Sequence, residues 1–540
     1  MLIDKTNTVE SRNYNRIGLL VPAAIGFIGV IIVLIGTHKF GAGISADSAS
    51  YIAAARSLLA GKGFLKFDGT VFDSWPPLYS TLLAAFKLCG VDYFISARCI
   101  SSVSFGLLIY LSGFWVLKRS GSLLLSLLSS VSILFSKPVF EVSFWAWSEP
   151  LFLLLTATFL CLMFRVLEKP TAKWVLSLAL ITAATCLTRY IGVVLLPLGG
   201  LLLLANKKQM IWKRLALAVF WGVISILPIA LWMQRNWGLT GTPMGARYPA
   251  SIPLSKNITL MGEVIASWFL PTNVIEIIPG WILFCLFCVL VVAILVFDIR
   301  KTRKSKLYWM DAPSIPMVLF LIIYSLAILS SATRVIMDSL DDRFLAPLYL
   351  PMVLAFWAGP ATVIVLPRST QPQKQFHSRF VKSGLAVGII IGIWFSAGSN
   401  FVFARTQNAY RDGAGGRSRS YWHNSPTIAW LRSHPLKGRI FSNDPISIYI
   451  LADCAAAMSP SSLETFDNPT PMLREKNHRE ISDFESAVQS EPGAYLVWFL
   501  IQDRKYLYKP NQLADFCQMS LVEKLQDGYI LALYPKDLHR

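Results

Sequence analysis

Ile44-Ser45-Ala46-Asp47-Ser48-Ala49-Ser50-Tyr51 follows the first long apolar segment and opens a short amphipathic one that ends at Gly61-Lys62-Gly63. The apolar segment, 17–37, carries no charge and is long enough to cross a bilayer, which takes about 20 apolar residues. Ser45, Asp47 and Ser48 all suit a helix start, and an acid there complements the helix dipole. Asp47 is then a carboxylate beside a membrane span, where an ionisable group by default marks function.

The rest of the chain reads the same way. Of 540 residues, 54% are hydrophobic and 15% charged, where a soluble protein carries about a quarter charged residues. Mean hydropathy is +0.53. The net charge of +19 does not point to nucleic acid. The basic residues cluster between apolar runs (Lys118-Arg119, Lys207-Lys208 with Lys213 and Arg214, and Arg300 to Lys306), the pattern of cytoplasmic loops under the positive-inside rule. Segment 17–37 is followed by no cleavage site of small residues, so it reads as a retained helix.

Alternation of basic clusters with other loops predicts a mainly α, polytopic membrane protein of about eleven spans. The N-terminus is expected in the cytoplasm, with Lys5, Arg12 and Arg16. Residues 38–75 form the first outer loop, Phe140 to Pro150 a short second one, and 235–275 a longer third. Span 344–366 returns to Arg368, Lys374, Arg379 and Lys382. Residues 1–402 make the membrane domain. Residues 403–540 make a small extracytoplasmic α/β domain, with strands at Arg439 to Asp444 and Ala494 to Leu500. Ser425 to Ser433 reads as a helix, and a hairpin turns at Asp527-Gly528.

Cys285-x-x-Cys288 has redox or zinc spacing, but apolar neighbours make both thiols lipid-facing or packed. Cys454 and Cys517 pair or stay free; spacing does not decide it. No Gly-rich phosphate loop or His-Cys cluster is present.

This topology, drawn from basic loops, sets Asp47, Glu149, Arg189, Asp341, Asp342 and Arg343 at outer helix ends, which favours a site at one interface over a transport path at mid-span. Each also has a structural reading. Asp47 and Glu149 suit first-turn acids, Arg189 a dipole partner, and Asp341-Asp342-Arg343 an interfacial ion pair. Trp75, Trp145, Trp147 and Tyr190 suit an aromatic belt.

Asp47-x-x-x-Tyr51, Ala54 to Phe64, and Trp75-Pro76-Pro77-Leu78-Tyr79 together resemble the first outer loop of GT-C glycosyltransferases. The similar branch holds protein O-mannosyltransferases and lipid A aminoarabinose transferases. Ser148-Glu149-Pro150-Leu151-Phe152, Leu187-Thr188-Arg189-Tyr190 and Asp342-Arg343-Phe344-Leu345 resemble that group in the same order. The resemblance implies transfer of a sugar from a polyprenyl phosphate-linked donor to an extracytoplasmic acceptor, at the bacterial inner membrane and with inversion. Asp47 is then the base, and Glu149, the second catalytic residue, orients the acceptor or the sugar. Arg189, Arg343, Arg247 and Lys62 bind the donor phosphate, and Tyr51, Trp75, Tyr190 and Asp342 line the substrate. No cofactor or resident metal is implied, although Asp47 with Glu149 suits weak divalent binding. Ser48 stands where many relatives have a second acid, and Trp75 where the aminoarabinose branch has Lys. The alternative is a lipid-linked glycan flippase or a non-catalytic assembly partner.

Overall fold

A computed structural model describes residues 6–250, 252–304, 312, 314–360, 377–465 and 471–536. Lys5, Lys306, Arg368, Lys374 and the end of the expected span, 361–366, lie outside the described residues. The chain divides into two units, Met1–Lys39 with Asp73–Tyr410 and Phe40–Phe72 with Arg411–Arg540.

The helices are, in order, α1 (Thr6–Gly36), α2 (Ala46–Leu59), α3 (Leu78–Leu88), α4 (Tyr93–Ser120), α5 (Leu123–Leu134), α6 (Lys137–Ser143), α7 (Glu149–Glu168) and α8 (Ala172–Thr188). Then come α9 (Leu195–Ala205), α10 (Ile211–Thr240), α11 (Leu254–Ala266), α12 (Thr272–Ile275), α13 (Gly280–Lys304), α14 (Ser314–Arg334), α15 (Asp342–Ala358) and α16 (His377–Asp412). Two more used below are α17 (Pro426–Ser433) and α18 (Pro471–Gln489).

In the first unit, six helices among the described residues are long and apolar enough to cross a membrane: α1 from Gly18, α4, α7, α10, α13 to Arg303, and α14. The pair α5 and α6, bent by 56° at its break, is long and apolar enough to be either a broken seventh span or a re-entrant loop. Ser136 caps α6 by accepting from the Val139 amide, and Pro138 sits in the first turn; a proline there cannot extend the preceding helix. The expected loop after residue 140 is therefore partly helix. Of the remaining expected spans, α8 and α9 are shorter than a bilayer crossing, and α15 ends at Ala358.

Small residues set the packing. A Cβ on Gly26 would meet the Gly106 carbonyl oxygen at 2.5 Å, and one on Gly106 would meet that of Gly26 at 2.7 Å. Glycine is what lets α1 and α4 touch backbone to backbone, as small-residue motifs do in lipid. Ser126 donates across to the Gly113 carbonyl at 2.8 Å, tying α5 to α4. Apolar side chains left exposed on α10 and α13, such as Val223, Leu227, Val289 and Val292, suit hydrocarbon.

In the second unit, β1 (Arg439–Ser442), β2 (Ala457–Met458), β3 (Ala494–Phe499), β4 (Gln518–Leu525) and β5 (Gly528–Tyr534) form one sheet ordered β2-β1-β3-β5-β4. The β1 pairings are parallel; β3–β5 and the β4–β5 hairpin are antiparallel. Phe484 of α18 packs on Phe441, and Trp422 on Phe499. The hairpin turn is tied to α17, since Thr427 donates to Asp527 through its amide (3.1 Å) and hydroxyl (2.6 Å).

The expected boundary at 402 falls inside α16, and most of the expected outer loop belongs with the C-terminal residues. The reason is local pairing. Ile44 donates to Gly415 O at 3.2 Å and accepts from the Arg417 amide at 3.0 Å. Ser418 hydroxyl donates to Ala42 O at 2.5 Å, and Arg56 pairs with Asp453 at 2.7 Å.

Candidate active site

Three of the expected residues meet in the first unit. Glu149 opens α7, with Pro150 beside it. Arg189 follows α8 in an extended conformation (φ −149°, ψ 137°), at a break before the short 3-10 turn Tyr190–Val194. Gly192 permits that break, because a Cβ there would meet Thr185 O at 2.7 Å. Arg343 stands in the first turn of α15, whose cap is Asp341, accepting from the Arg343 amide at 2.9 Å.

Arg189 Nη1 lies 2.6 Å from Glu149 Oε1, and Arg343 Nε donates to the same oxygen. The Glu149 side chain is 3% exposed, and the side chains of Arg189 and Arg343 keep 19% and 11%. One buried acid thus carries two cations, whose side chains are the more exposed members of the group. Ser148 joins it, accepting from Arg189 at 3.3 Å.

The Arg343 guanidinium carbon sits 4.1 Å from the Trp147 ring centroid, and Trp147 stacks on Trp145 at 4.5 Å and 10°. Trp145 donates to Glu141 at 3.1 Å, and Glu141 takes a two-pronged pair from Arg405 at 2.6 and 3.0 Å. The belt reading of Trp147 gives way to a buried stacking partner of arginine, because cation–π contact strengthens once water is removed.

Asp342 has its partners elsewhere in the sequence. It lies 3.1 Å from Lys137 Nζ and accepts from Trp268 Nε1 at 2.8 Å. Tyr190 hydroxyl donates to Asp73 O at 2.7 Å and accepts from Trp232 and Asn236, each at 3.1 Å. Trp75 is half-buried in this unit, and exposed Arg247 reaches Ser74 O at 3.4 Å. Lys137, Glu141, Arg405 and Asn236 were missed by the sequence reading. The signal for Lys137 and Glu141 was two charges in an otherwise apolar stretch.

Asp47, Tyr51 and Lys62 belong to the second unit. The α2 cap is made by Ser45 and Ser48: Ser48 amide donates to Ser45 Oγ at 3.3 Å, and Ser45 amide to Ser48 Oγ at 3.1 Å. Ser48 is therefore the returning member of a capping box, and Asp47 stands beside the cap, half-buried, in the first turn. Tyr51 is fully buried, its ring 6.1 Å from that of Phe72. Lys62 is exposed.

An acid between two arginines is not by itself a sign of chemistry. Buried Asp444 in the second unit accepts from Arg417 at 2.5 Å and Arg504 at 3.0 Å, at the end of β1, where it ties loop to sheet. Among the described residues no group of three or more His, Cys, Asp or Glu is placed to hold a metal ion. Cys285 and Cys288 are exposed on α13, and Cys454 and Cys517 are both free thiols.

Among solved structures, ArnT from Cupriavidus metallidurans bound to undecaprenyl phosphate aligns with a TM-score of 0.59 at 14% identity, over 94% of this chain and 97% of that one. The alignment thus runs over nearly the whole of both chains. The chain has a GT-C fold. ArnT in the apo state aligns at a TM-score of 0.57 and 13% identity, over 94% and 97% of the two chains. Mycobacterial arabinofuranosyltransferase AftD shares the GT-C fold at a TM-score of 0.53 and 14% identity, over 96% of this chain; this chain spans 42% of AftD. No family model matches the sequence, and no curated protein matches it. Within this fold, three motifs far apart in sequence supply the Glu149, Arg189 and Arg343 cluster.

Proposed function

We propose that this chain is a membrane glycosyltransferase that moves a sugar from a polyprenyl phosphate-linked donor to an extracytoplasmic acceptor, at the inner membrane. The observation that carries the reading is the pair of arginines on one buried acid, in a chain with the fold of a protein that binds undecaprenyl phosphate. An arginine fork suits phosphate oxygens, and a guanidinium already held in place costs little to reorganise as charge develops.

The acceptor hydroxyl attacks the anomeric carbon as its proton passes to the Asp47 carboxylate. The bond from that carbon to the phosphate oxygen breaks, and its electron pair leaves with the polyprenyl phosphate, whose charge Arg189 and Arg343 receive. Attack opposite the phosphate inverts the anomeric centre. What supports Asp47 as base is that Ser45 and Ser48, not Asp47, make the helix cap. Glu149, buried and paired with two guanidiniums, acts as a positioning residue.

The test is release of polyprenyl phosphate from a labelled polyprenyl-phosphate sugar by the purified protein in the presence of acceptor lipid or glycan extract. Asp47→Asn abolishes release while expression holds. Donor that crosses the bilayer intact, with no lipid phosphate released, identifies a flippase instead.

A further inference from the structure

The second unit contains a groove of about 480 Å³, between α2 with its following loop and the segments around β1. Ser57 secures that loop to α2, donating to Gly63 O at 2.7 Å and accepting from the Leu65 amide at 2.9 Å. Beyond it Leu65 bridges Val71, and the chain turns at Asp68-Gly69, where glycine takes φ +81°. Asp68 is held by its own turn, accepting from the Thr70 amide at 2.9 Å and hydroxyl at 2.6 Å.

Lys66 and Phe67 of this tight hairpin line the groove together with Tyr449 and Arg439. The Phe67 and Tyr449 rings lie 6.2 Å apart, and the Arg56 guanidinium carbon lies 5.2 Å from the Tyr449 centroid. Arg56, Lys62, Lys66 and Arg439 line the groove, against Asp68 as the acid in the lining. Arg56 is held by Asp453 at 2.7 Å. The groove therefore combines two half-buried aromatic rings with a cationic wall, at a volume in the range of small-ligand sites.

Each part of that composition selects. The cations attract carboxylate or phosphate oxygens. The aromatic rings offer flat apolar faces to a ring with C–H edges. A bilayer surface calls instead for apolar side chains standing proud of the cations. We propose that this groove binds an anionic saccharide, and that the saccharide is part of the acceptor. The second half rests on the transferase reading above; the binding itself does not. Lys62, which the family resemblance offers to the donor phosphate, then serves the acceptor.

The test is calorimetric titration of the full-length protein in phosphatidylcholine nanodiscs, with trigalacturonic acid, maltotriose and inorganic phosphate as probes. Trigalacturonic acid is expected to bind, maltotriose about tenfold more weakly, and phosphate more weakly than the trisaccharide. Lys66→Glu and Arg439→Glu each weaken trigalacturonic acid about tenfold or more, while Arg439→Lys retains most of the affinity. Unchanged elution and melting of the variants establish that they are folded. No binding, equal binding by the charge-reversed variants, or phosphate binding as tight as the trisaccharide overturns the proposal. So does loss of trisaccharide binding when phosphatidylglycerol enters the nanodisc, which makes a lipid headgroup the occupant. No donor is present in the titration. Failure of labelled donor to release lipid phosphate therefore removes the transferase reading and leaves the groove standing. In a working transfer assay with an anionic acceptor, Arg439→Glu raises the acceptor KM more than it lowers kcat; the reverse split overturns the acceptor assignment.

Discussion

Arg189 Nη1 lies 2.6 Å from Glu149 Oε1, and Arg343 donates to that same oxygen. Breaking a buried pair from one side leaves charge without compensation and costs about 3–5 kcal/mol. Glu149→Gln is expected to lose stability on that scale and to bind polyprenyl phosphate poorly, because the two guanidiniums then repel. Melting of the detergent-purified variant with and without polyprenyl phosphate checks both effects. A melting curve like that of the wild type would show that Glu149 does not hold the cluster.

Arg343 is held by Glu149, by the Trp147 ring at 4.1 Å and, at its own amide, by the helix cap. Lysine keeps the charge but has neither the planar fork nor the stacking face. Arg343→Lys is therefore expected to lower transfer about tenfold or more, with a smaller change in melting than Glu149→Gln. Parallel rate and melting measurements read the difference.

Asp47 and Ser48 are adjacent but differ in their work. Ser48 closes the capping box with Ser45, so Ser48→Ala costs about 1 kcal/mol of stability. Asp47→Asn leaves those bonds in place and removes the proposed base, lowering transfer by a factor on the order of 100–10,000. A stability loss in Asp47→Asn equal to that in Ser48→Ala, with transfer intact, would return Asp47 to a helix-start role.

Arg405 of α16 grips Glu141 with two bonds and lies 4.8 Å from the Phe144 ring. Arg405→Ala is expected to cost about 1.5–3 kcal/mol, the range for hydrogen bonds to charged groups. It also loosens the Trp145–Trp147 stack beneath Arg343, so the rate falls along with the melting temperature. Arg405→Lys recovers part of the stability.

Burial pushes the Cys517 thiol up to about 11, with Lys536 opposing, and burial with Asp453 raises that of half-buried Cys454. Both stay protonated near neutral pH, and access separates them. Maleimide labelling followed by peptide mass spectrometry is expected to modify Cys454 in the native protein and Cys517 only after denaturation. A Cys454–Cys517 disulfide in the intact mass contradicts the structure.

Much of the second unit was legible early. The strands at Arg439 and Ala494, the Asp527-Gly528 turn and the Ser425 helix start appear at the expected places, because β-rich apolar runs, glycine turns and serine caps act over a few residues. The span count was less legible. Hydropathy shows that a segment is apolar, not whether it runs straight, and Pro138 and the Arg189 break bend or shorten helices that looked like simple crossings. Asp342, expected in the substrate lining or in an interfacial ion pair with its neighbours, meets Lys137 of α6, a pairing through space that proximity in sequence did not indicate.

By itself the sequence determined that this is a many-helix membrane chain with a polar C-terminal unit, and which ionisable residues were costly enough to need a reason. Those are consequences of composition and of periodicity along one segment. Only the tertiary structure decided that Glu149, Arg189 and Arg343 share one carboxylate oxygen, and that residues 40–72 fold with the C-terminal unit. Charge pairing depends on distance through space, and helix breaks, close glycine contacts and β-bridges set those distances between residues that hydropathy treats as unrelated.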